Sequence, residues 1–261
     1  MEDNIVLFEE QDHVGVITLN RPEAMNSLSY ESYAQLEDLI RNATARVLVI
    51  TGAGRAFCAG DDMKQILGSD KPPPESSRDR KIDTGGLTPL ADALLATDIP
   101  VIAAVNGPAV GWGMELALMA DIRVASEKAK FGELFVLRGL CCDAPGLGRL
   151  AQLVGRERAA ELLFTGEVID ADTALRIGLV SHRVDHEELM DKALDLARRI
   201  ANNPPLAVQA IKAGLRRTLD PDWRDTGHWA TEQITRLRQT EDSKEGVRAF
   251  LEKRDPVYVG H

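Results

Sequence analysis

Near the start of the chain two short, largely apolar runs are separated by polar residues, and apolar positions at a helical spacing follow. The runs Ile5–Glu9 and Val14–Leu19 flank Asp12-His13, which predicts a β-hairpin. Apolar residues then recur every three or four positions, and Ser29 stands where a helix N-cap is expected. We therefore predict a helix that begins after Ser29 and ends near Asn42.

Continuous apolar runs in the rest of the chain predict buried strands that alternate with helices. The predicted strands are Val47–Thr51, Val101–Val105, Ile122–Ala125 and Val180–Val184, with a short extended or irregular stretch at Phe131–Arg138. The predicted helices are Leu87–Thr97, one that starts near Gly113, and a helical tail that starts with a capping box at Asp185 and runs to Lys253. The polar segment Leu67–Gly86 is predicted to be a loop. Strand-strand-helix units followed by helices predict an α/β protein with a C-terminal helical part.

The composition limits the classes of partner that the protein can have. Its 261 residues carry a formal net charge of -10, which should repel nucleic acid and anionic membrane surfaces. No apolar run approaches the length of about 20 residues that a membrane span needs. The acidic start, Met1–Asn4, does not have the pattern of a targeting segment. We therefore expect a cytoplasmic protein with no nucleic-acid partner and no membrane partner.

The cysteines point to the same compartment. Cys141 and Cys142 are adjacent and Cys58 is distant, which is a poor pattern for disulfides. Their spacing does not match a zinc site either. We expect reduced thiols in a cytoplasm-like environment and no metal.

Two glycine-rich segments each follow a predicted buried strand and precede a predicted helix. In the first, Ala56–Lys64, the pair Ala59-Gly60 would let a ligand approach the backbone closely, and the N–H of Asp61 could point into a site. In the second, Ala104–Glu115, the N–H of Trp112 would lie at a helix start, where negative charge is favoured. Taken alone, each segment also fits a tight turn that caps a helix. Together, two backbone donors aimed at one oxygen would form an oxyanion hole.

With these segments and several others, the sequence resembles the crotonase (enoyl-CoA hydratase/isomerase) superfamily over nearly its whole length. The segments that carry the resemblance are Leu19–Leu28, Phe57–Lys64, Val105–Glu115, Asp121–Ala125, Ala129–Gly132, Leu163–Gly166, Ala171–Val180 and Glu245–Arg254. The resemblance implies an acyl-CoA substrate and a spiral of ββα units with a C-terminal helical trimerisation region, assembled as a homotrimer or a dimer of trimers. We accordingly expect residues 1–195 to form the core with the acyl-CoA site and residues 196–261 to form the helical oligomerisation region.

The resemblance also implies roles for individual residues. The N–H groups of Asp61 and Trp112 match the two oxyanion-hole donors. Glu115 matches the first of two glutamates that family hydratases place on either side of the activated water. The strip that binds coenzyme A, including a lysine near the phosphates, is matched by Ala24, Met25, Ala59, Asp61, Met63 and Lys64.

Three positions depart from the family pattern. The second catalytic glutamate would stand 20 residues after Glu115, where this chain has Phe135. A phenyl ring cannot hold or protonate water, which argues against hydration by two glutamates. Asp61 stands where a small residue is common, and we expect its carboxylate to point away from the oxyanion. Trp112 stands where many members have glycine, and we expect Trp112 and Phe135 to shape the acyl pocket.

Asp143 offers a second carboxylate from another part of the chain. Its offset to Leu150 and Gly155 resembles that of the acidic residue used by dienoyl-CoA isomerases. The 4-chlorobenzoyl-CoA dehalogenases are similar, with a nucleophilic aspartate there and an aromatic residue at the place of Phe135. The alternative is a loop aspartate that makes a local turn. If Glu115 and Asp143 face one cavity, repulsion and desolvation should leave one as a base and the other as an acid.

We therefore expect an enoyl-CoA hydratase/isomerase type of enzyme that stabilises an enolate and moves protons with Glu115 and Asp143. Its substrate would carry coenzyme A, and no separate cofactor and no metal is implied. Three alternatives stay open. They are displacement or hydrolysis of an acyl- or aryl-CoA with Asp143 as nucleophile, a non-catalytic acyl-CoA-binding protein, and an RNA-binding protein, which the net charge disfavours.

Overall fold

The computed structural model of the chain describes residues 5–66 and 86–260, and a hairpin opens the fold. Strands β1 (Val6–Gln11) and β2 (Val14–Leu19) pair antiparallel. Between them Asp12 and His13 take φ angles of 50° and 66°. Positive φ at both central residues is the geometry of a two-residue hairpin turn whose twist matches that of the strands. The predicted hairpin is confirmed, whereas the loop predicted at Leu67–Gly86 lies outside the described residues except for Gly86.

The first helix begins at a short polar motif. Helix α1 (Tyr30–Arg41) follows Ser29, whose hydroxyl accepts the N–H of Ser32, and the Ser32 hydroxyl accepts the N–H of Ser29. This reciprocal arrangement satisfies two N–H groups that the helix itself leaves without acceptors. Leu36 and Ile40 on this helix are buried. The helix predicted between Ser29 and Asn42 is therefore confirmed.

A largely parallel sheet forms the centre of the core. Besides β1 and β2 it contains β3 (Val47–Gly52), β4 (Val101–Val105), β6 (Ile122–Ser126) and β9 (His182–Val184). Among the described residues the strand order is β1-β2-β3-β4-β6-β9, and every neighbouring pair except β1-β2 is parallel. Strands β3 and β4 are buried along their whole length, as expected for a parallel sheet with both faces covered.

A second, smaller sheet positions the end of the second glycine-rich segment. It contains β5 (Pro108–Val110), β7 (Lys130–Gly132) and β8 (Ile169–Asp170). Strands β5 and β7 are parallel, so both end at the same edge of the sheet. Strands of two or three residues are too short to give a periodic sequence pattern, and the sequence indicated an extended or irregular stretch only at Phe131–Arg138.

Helices connect the strands. They are α2 (Met63–Ile66), α3 (Pro89–Ala96), α4 (Trp112–Met119), α5 (Ala144–Val154), α6 (Arg156–Thr165) and α7 (Ala171–Arg176). Every residue of α4 is buried, because this helix lies at the centre of the molecule. Helices α5 to α7 occupy a stretch in which the sequence predicted no element.

The chain ends in four helices, which confirms an α/β body with a C-terminal helical part. They are α8 (Leu189–Ala201), α9 (Pro205–Leu219), α10 (Trp223–Leu237) and α11 (Glu241–Glu252). Helix α8 packs Ala193 and Ala197 on the parallel sheet and passes through residue 195, where the predicted division falls; the division stays a prediction. The capping box predicted at Asp185 is wrong. Its side chain makes no cap bond, and a 3-10 turn at His186–Glu188 precedes α8.

Candidate active site

Two buried asparagines hold the loop that leads to the first glycine-rich corner. The side-chain amide of Asn26 donates to the carbonyls of Ala53 and Ala56 at 2.9 and 2.8 Å. The amide of Asn106 donates to the carbonyls of Gly54 and Ala56 at 3.0 and 3.2 Å. A buried carbonyl left without a donor costs about 1–3 kcal/mol. These bonds therefore fix the loop, and with it the corner that follows.

The two glycine-rich corners lie against each other. The carbonyl of Pro108 accepts the N–H of Cys58 at 3.0 Å, and the carbonyl of Cys58 accepts the N–H of Val110 at 3.1 Å. Beyond this short ladder, a β-carbon added to Gly60 would stand 3.2 Å from the main-chain nitrogen of Trp112. The first corner therefore runs directly beside the start of α4.

The second corner ends in a helix N-terminus. Gly111 precedes α4 with a φ of 53°, and Trp112 is the first residue of the helix. N–H groups in the first turn have no intrahelical acceptor, and the helix dipole adds positive potential there. At Gly113 a β-carbon would stand 2.0 Å from the carbonyl oxygen of Cys58, so glycine is needed for the helix to reach this position. The main-chain N–H of Trp112 thus lies where developing negative charge is stabilised.

The side chain of Asp61 is held by a tyrosine from α1. The hydroxyl of Tyr33 donates to Oδ1 of Asp61 at 2.6 Å, and the Tyr33 ring packs edge-on against Trp112 with centroids 4.8 Å apart. Burial, followed by the charge of Asp61, raises the pKa of Tyr33 well above its usual 10. The phenol therefore remains a hydrogen-bond donor. The expectation that the Asp61 carboxylate points away from a bound oxyanion stays a prediction.

Glu115 and Asp143, which the sequence proposed as a pair, lie together. Glu115 is fully buried on α4, and its two carboxyl oxygens accept the N–H groups of Asp143 at 3.0 Å and Gly146 at 2.7 Å. The indole Nε1 of Trp112 donates to Oδ2 of Asp143 at 2.9 Å. Trp112 therefore contributes twice: its main-chain N–H starts α4, and its side chain orients the second carboxylate.

A third carboxyl group, which sequence reasoning missed, lies in the same cluster. Glu133 directly follows β7 and is only 1% exposed. Neither of its carboxyl oxygens has a hydrogen-bond partner within residues 5–66 and 86–260. No sequence pattern marked it, because the strand before it has only three residues and a glutamate is ordinarily a surface residue. The sequence comparison directed attention to Phe135 instead.

Two of the three carboxyl groups, those of Glu115 and Glu133, are fully buried, whereas Asp143 is partly exposed. Burial raises the pKa of Glu115 well above 4.5, and the charges of Glu133 and Asp143 raise it further, while hydrogen bonds from Gly146 and Asp143 act in the opposite direction. Burial, followed by the charge of Asp143, also raises the pKa of Glu133 well above 4.5. Carboxylates at close quarters in a low-dielectric site cannot all ionise. Glu115 and Glu133 therefore hold their protons more strongly than exposed glutamates do.

The residues predicted to bind coenzyme A lie on a partly exposed strip. Met25 follows the 3-10 turn Pro22–Ala24 with a φ of 55°, and its carbonyl accepts the N–H of Ala59 at 3.0 Å. Met63 and Lys64 begin α2, and Lys64 is exposed. The structure thus brings two distant segments together, while their binding of coenzyme A stays a prediction.

Cys142 lies beside the carboxyl cluster, and Phe135 packs against the main hydrophobic core. Phe135 is half-buried and precedes the 3-10 turn Val136–Arg138. Cys142 is buried, and its pKa is raised well above 9.0 by the hydrogen bond with Cys141 and by burial. Burial raises the pKa of Cys58 to about 12. Cys58 and Cys142 therefore remain thiols at neutral pH and act as packing groups.

The described residues contain neither a metal-binding group of side chains nor a membrane-crossing helix. Within residues 5–66 and 86–260, no three His, Cys, Asp or Glu side chains are grouped so that they could hold a metal ion. No helix in those same ranges has the length and apolar character needed to cross a membrane.

Comparisons with known proteins match nearly the whole chain. A family model described as enoyl-CoA hydratase/isomerase matches residues 9–261. The (E)-benzylidenesuccinyl-CoA hydratase of Thauera aromatica is 40% identical over 260 residues, which cover 98% of this chain and 99% of that protein. The 1,2-epoxyphenylacetyl-CoA isomerase of Escherichia coli (strain K12) is 36% identical over 272 residues, with 98% of both chains covered. The crystal structure of carnitinyl-CoA hydratase from Mycobacterium avium matches with a TM-score of 0.88 at 33% identity, covering 99% of this chain and 100% of that one.

Proposed function

Since the chain belongs to the enoyl-CoA hydratase/isomerase family, we propose that it shifts or hydrates the double bond of an enoyl-CoA through an enolate held on two main-chain N–H groups. Family membership makes the protein an enzyme that acts on acyl-CoA thioesters, and the crotonase fold expected from the sequence is confirmed. The proposed mechanism rests mainly on Trp112, whose main-chain N–H lies at the start of α4 and whose indole N–H donates to Asp143.

The thioester oxygen is the group that the two corners would polarise. In this proposal it accepts hydrogen bonds from the main-chain N–H groups of Asp61 and Trp112. The contact between Gly60 and the Trp112 nitrogen supports their convergence. One well-placed donor of this kind contributes about 3–4 kcal/mol to the stability of the oxyanion. The acidity of the carbons conjugated with the carbonyl rises accordingly.

Asp143 is the base in this proposal. The indole N–H of Trp112 hydrogen-bonds to its carboxylate, and a hydrogen bond to the charged form favours that form. Glu115 positions Asp143, because both of its oxygens accept N–H groups from the turn that carries Asp143. Since Phe135 takes the place of a second glutamate, isomerisation is favoured over hydration. Coenzyme A is part of the substrate and would bind to the strip of protein residues from Ala24 to Lys64. The reaction needs no further cofactor.

We also propose that the protein assembles from copies of itself through α9. On this helix Ile211, Leu215 and Leu219 are 64%, 53% and 63% exposed and follow each other at one-turn spacing. An exposed apolar stripe of this kind marks an interaction surface. Light scattering should give three or six times the chain mass of 28.5 kDa, as a homotrimer or a dimer of trimers. A mass of one chain would contradict the assembly.

The reaction is tested by NMR of a panel of enoyl- and 3-hydroxyacyl-CoA thioesters in D₂O. The wild type should exchange a proton of the acyl chain and convert at least one thioester. Asp143→Asn should lower both rates by about 100-fold or more, since it removes the base. Glu115→Gln should lower them less, because glutamine keeps one acceptor oxygen. The exposed Glu161→Gln serves as the control and should leave both rates unchanged.

Two results would refute this assignment. One is conversion that survives both site substitutions. The other is a mass increase on Asp143 in a single turnover, which would make that residue a covalent nucleophile rather than a base.

A further inference from the structure

Glu133 lies at the junction of the two corners and the carboxyl cluster. The carbonyl of Gly132 accepts the N–H of Gly111 at 2.8 Å, so the end of β7 is tied to the residue before Trp112. Glu133 is the next residue, and it is buried. The charged group that acts on it most strongly is Asp143, and Glu133 in turn acts on Glu115. Glu133 is therefore part of the cluster that holds the proposed base.

The three carboxyl groups differ in how the protein holds them. Glu115 accepts two main-chain N–H groups, and Asp143 accepts the Trp112 indole N–H. Neither oxygen of Glu133 has a hydrogen-bond partner, and the side chain has no ion pair, among residues 5–66 and 86–260. A buried charge without donors or a counter-ion is far more costly than a buried neutral acid. Glu133 is thus held as a neutral carboxylic acid.

A purely structural role explains Glu133 poorly. A buried polar group without a partner destabilises the fold, and a methionine or leucine would fill the same volume without that cost. Glu127 provides a comparison, since one of its oxygens also lacks a partner, but its other oxygen lies 3.9 Å from Nζ of Lys128. Buried acids without partners are typical of sites that use the proton.

The proposed reaction needs one base and one acid. Asp143 is the base, and Glu115 holds the turn on which Asp143 stands, so the acid is left unassigned. We propose that Glu133 is this acid, a third carboxyl group that delivers a proton to the acyl chain of the substrate. This inference rests on the proposed function and extends it by one residue.

The proton balance closes over one turnover. The carboxylate of Asp143 takes a proton from one carbon, and the electron pair of that C–H bond moves into an enolate with its charge on the thioester oxygen. The enolate then forms a C–H bond at another carbon with the proton of Glu133, whose O–H electron pair stays on the carboxylate. Asp143 is now protonated and Glu133 ionised, and a proton passing from the first to the second restores the starting state. In hydration, the proton taken by Asp143 comes from the attacking water instead.

The test separates the two proton transfers. Glu133→Gln keeps the size and neutrality of the protonated side chain but cannot transfer a proton. Proton exchange by Asp143 should stay within about threefold of wild type, while net conversion falls at least about 100-fold and KM changes less than about threefold. Glu133→Asp should restore part of the conversion, and Glu127→Gln is the matched control that should convert at the wild-type rate.

Other outcomes overturn the inference in recognisable ways. Conversion by Glu133→Gln within about threefold of wild type would exclude Glu133 as the acid. Loss of exchange and conversion together would place its effect on the base or on the fold instead. A wild type that neither exchanges nor converts any thioester of the panel would refute the proposed function itself, and the role of Glu133 with it.

Infrared spectroscopy gives a readout that does not depend on turnover. The wild type at pH 7 should show the carbonyl band of a protonated carboxyl group that Glu133→Gln loses and Glu127→Gln keeps. If the two variants have the same band, Glu133 is ionised at this pH and cannot be the acid.

Discussion

Replacing Glu133 with glutamine should stabilise the folded protein at neutral pH. The side chain is 1% exposed, and its oxygens have no partner among the described residues, so ionisation inside the fold is strongly disfavoured. Glutamine has the same shape as the protonated acid and never ionises. The substitution therefore removes a pH-dependent cost while it leaves the packing unchanged.

The size of the effect follows from proton linkage. The pKa of Glu133 is raised in the fold, so between its ordinary value of 4.5 and its folded value the native state binds more protons than the unfolded chain. Stability due to this group is thus fully present below pH 4.5 and is lost as the pH rises, by about 1.4 kcal/mol per pH unit. The total loss grows with each pH unit until the pH reaches the raised pKa of Glu133 in the fold.

Denaturant unfolding at pH 5, 6 and 7 measures this effect. Wild type, Glu133→Gln and the control Glu127→Gln are compared at one protein concentration, so that any assembly affects them equally. The stability difference between Glu133→Gln and wild type should be small at pH 5 and grow by about 1 kcal/mol or more per unit up to pH 7. Parallel pH dependence of all three proteins would refute the reasoning, because Glu133 would then titrate alike in the folded and unfolded states.

Three further substitutions test the scaffold of the site. Trp112→Phe keeps the main-chain N–H but removes the side-chain donor to Asp143. Since a hydrogen bond to a charged group contributes about 1.5–3 kcal/mol, kcat should fall roughly 10- to 100-fold in the enoyl-CoA assay. An unchanged kcat would contradict the role of the indole. Gly60→Ala adds a β-carbon 2.8 Å from the carbonyl oxygen of Val110, at a φ of 87° that alanine rarely adopts. Both thermal stability and kcat should therefore fall. Wild-type values for both would show that the two corners can move apart without losing stability or activity. Asn26→Ala leaves the carbonyl of Ala53 without its donor, while the carbonyl of Ala56 keeps the bond from Asn106. The substitution should cost about 1–3 kcal/mol in chemical denaturation, whereas a loss below about 0.5 kcal/mol would mean that water replaces the amide.

The parts of the fold that the sequence predicted are those set by local pattern. The hairpin follows from the two short apolar runs on either side of Asp12-His13, and α1 follows from its serine cap and apolar face. Strands β5 and β8 were missed because two or three residues cannot show a period. The capping box predicted at Asp185 was wrong, because Asp185 and Glu188 have the spacing of a capping box but the Asp185 side chain makes no capping hydrogen bond.

The candidate site was predicted in part. The glycine-rich corners and Glu115 could be found because they follow predicted strands, and the contact with Asp143 follows from the family resemblance. Glu133 was missed because its importance depends on what surrounds it. A glutamate in a sequence is ordinarily a surface residue, and only the burial of both oxygens distinguishes this one.

The two contributions of Trp112 respond differently to mutation. Any residue except proline at this position supplies the main-chain N–H, so the group that would polarise the thioester survives nearly every change of codon. The indole contact with Asp143 disappears with almost any change. If the main-chain N–H polarises the thioester as proposed, descendants of this chain can acquire new reactions by altering the acid–base side chains, while the activation of the thioester is inherited with the backbone.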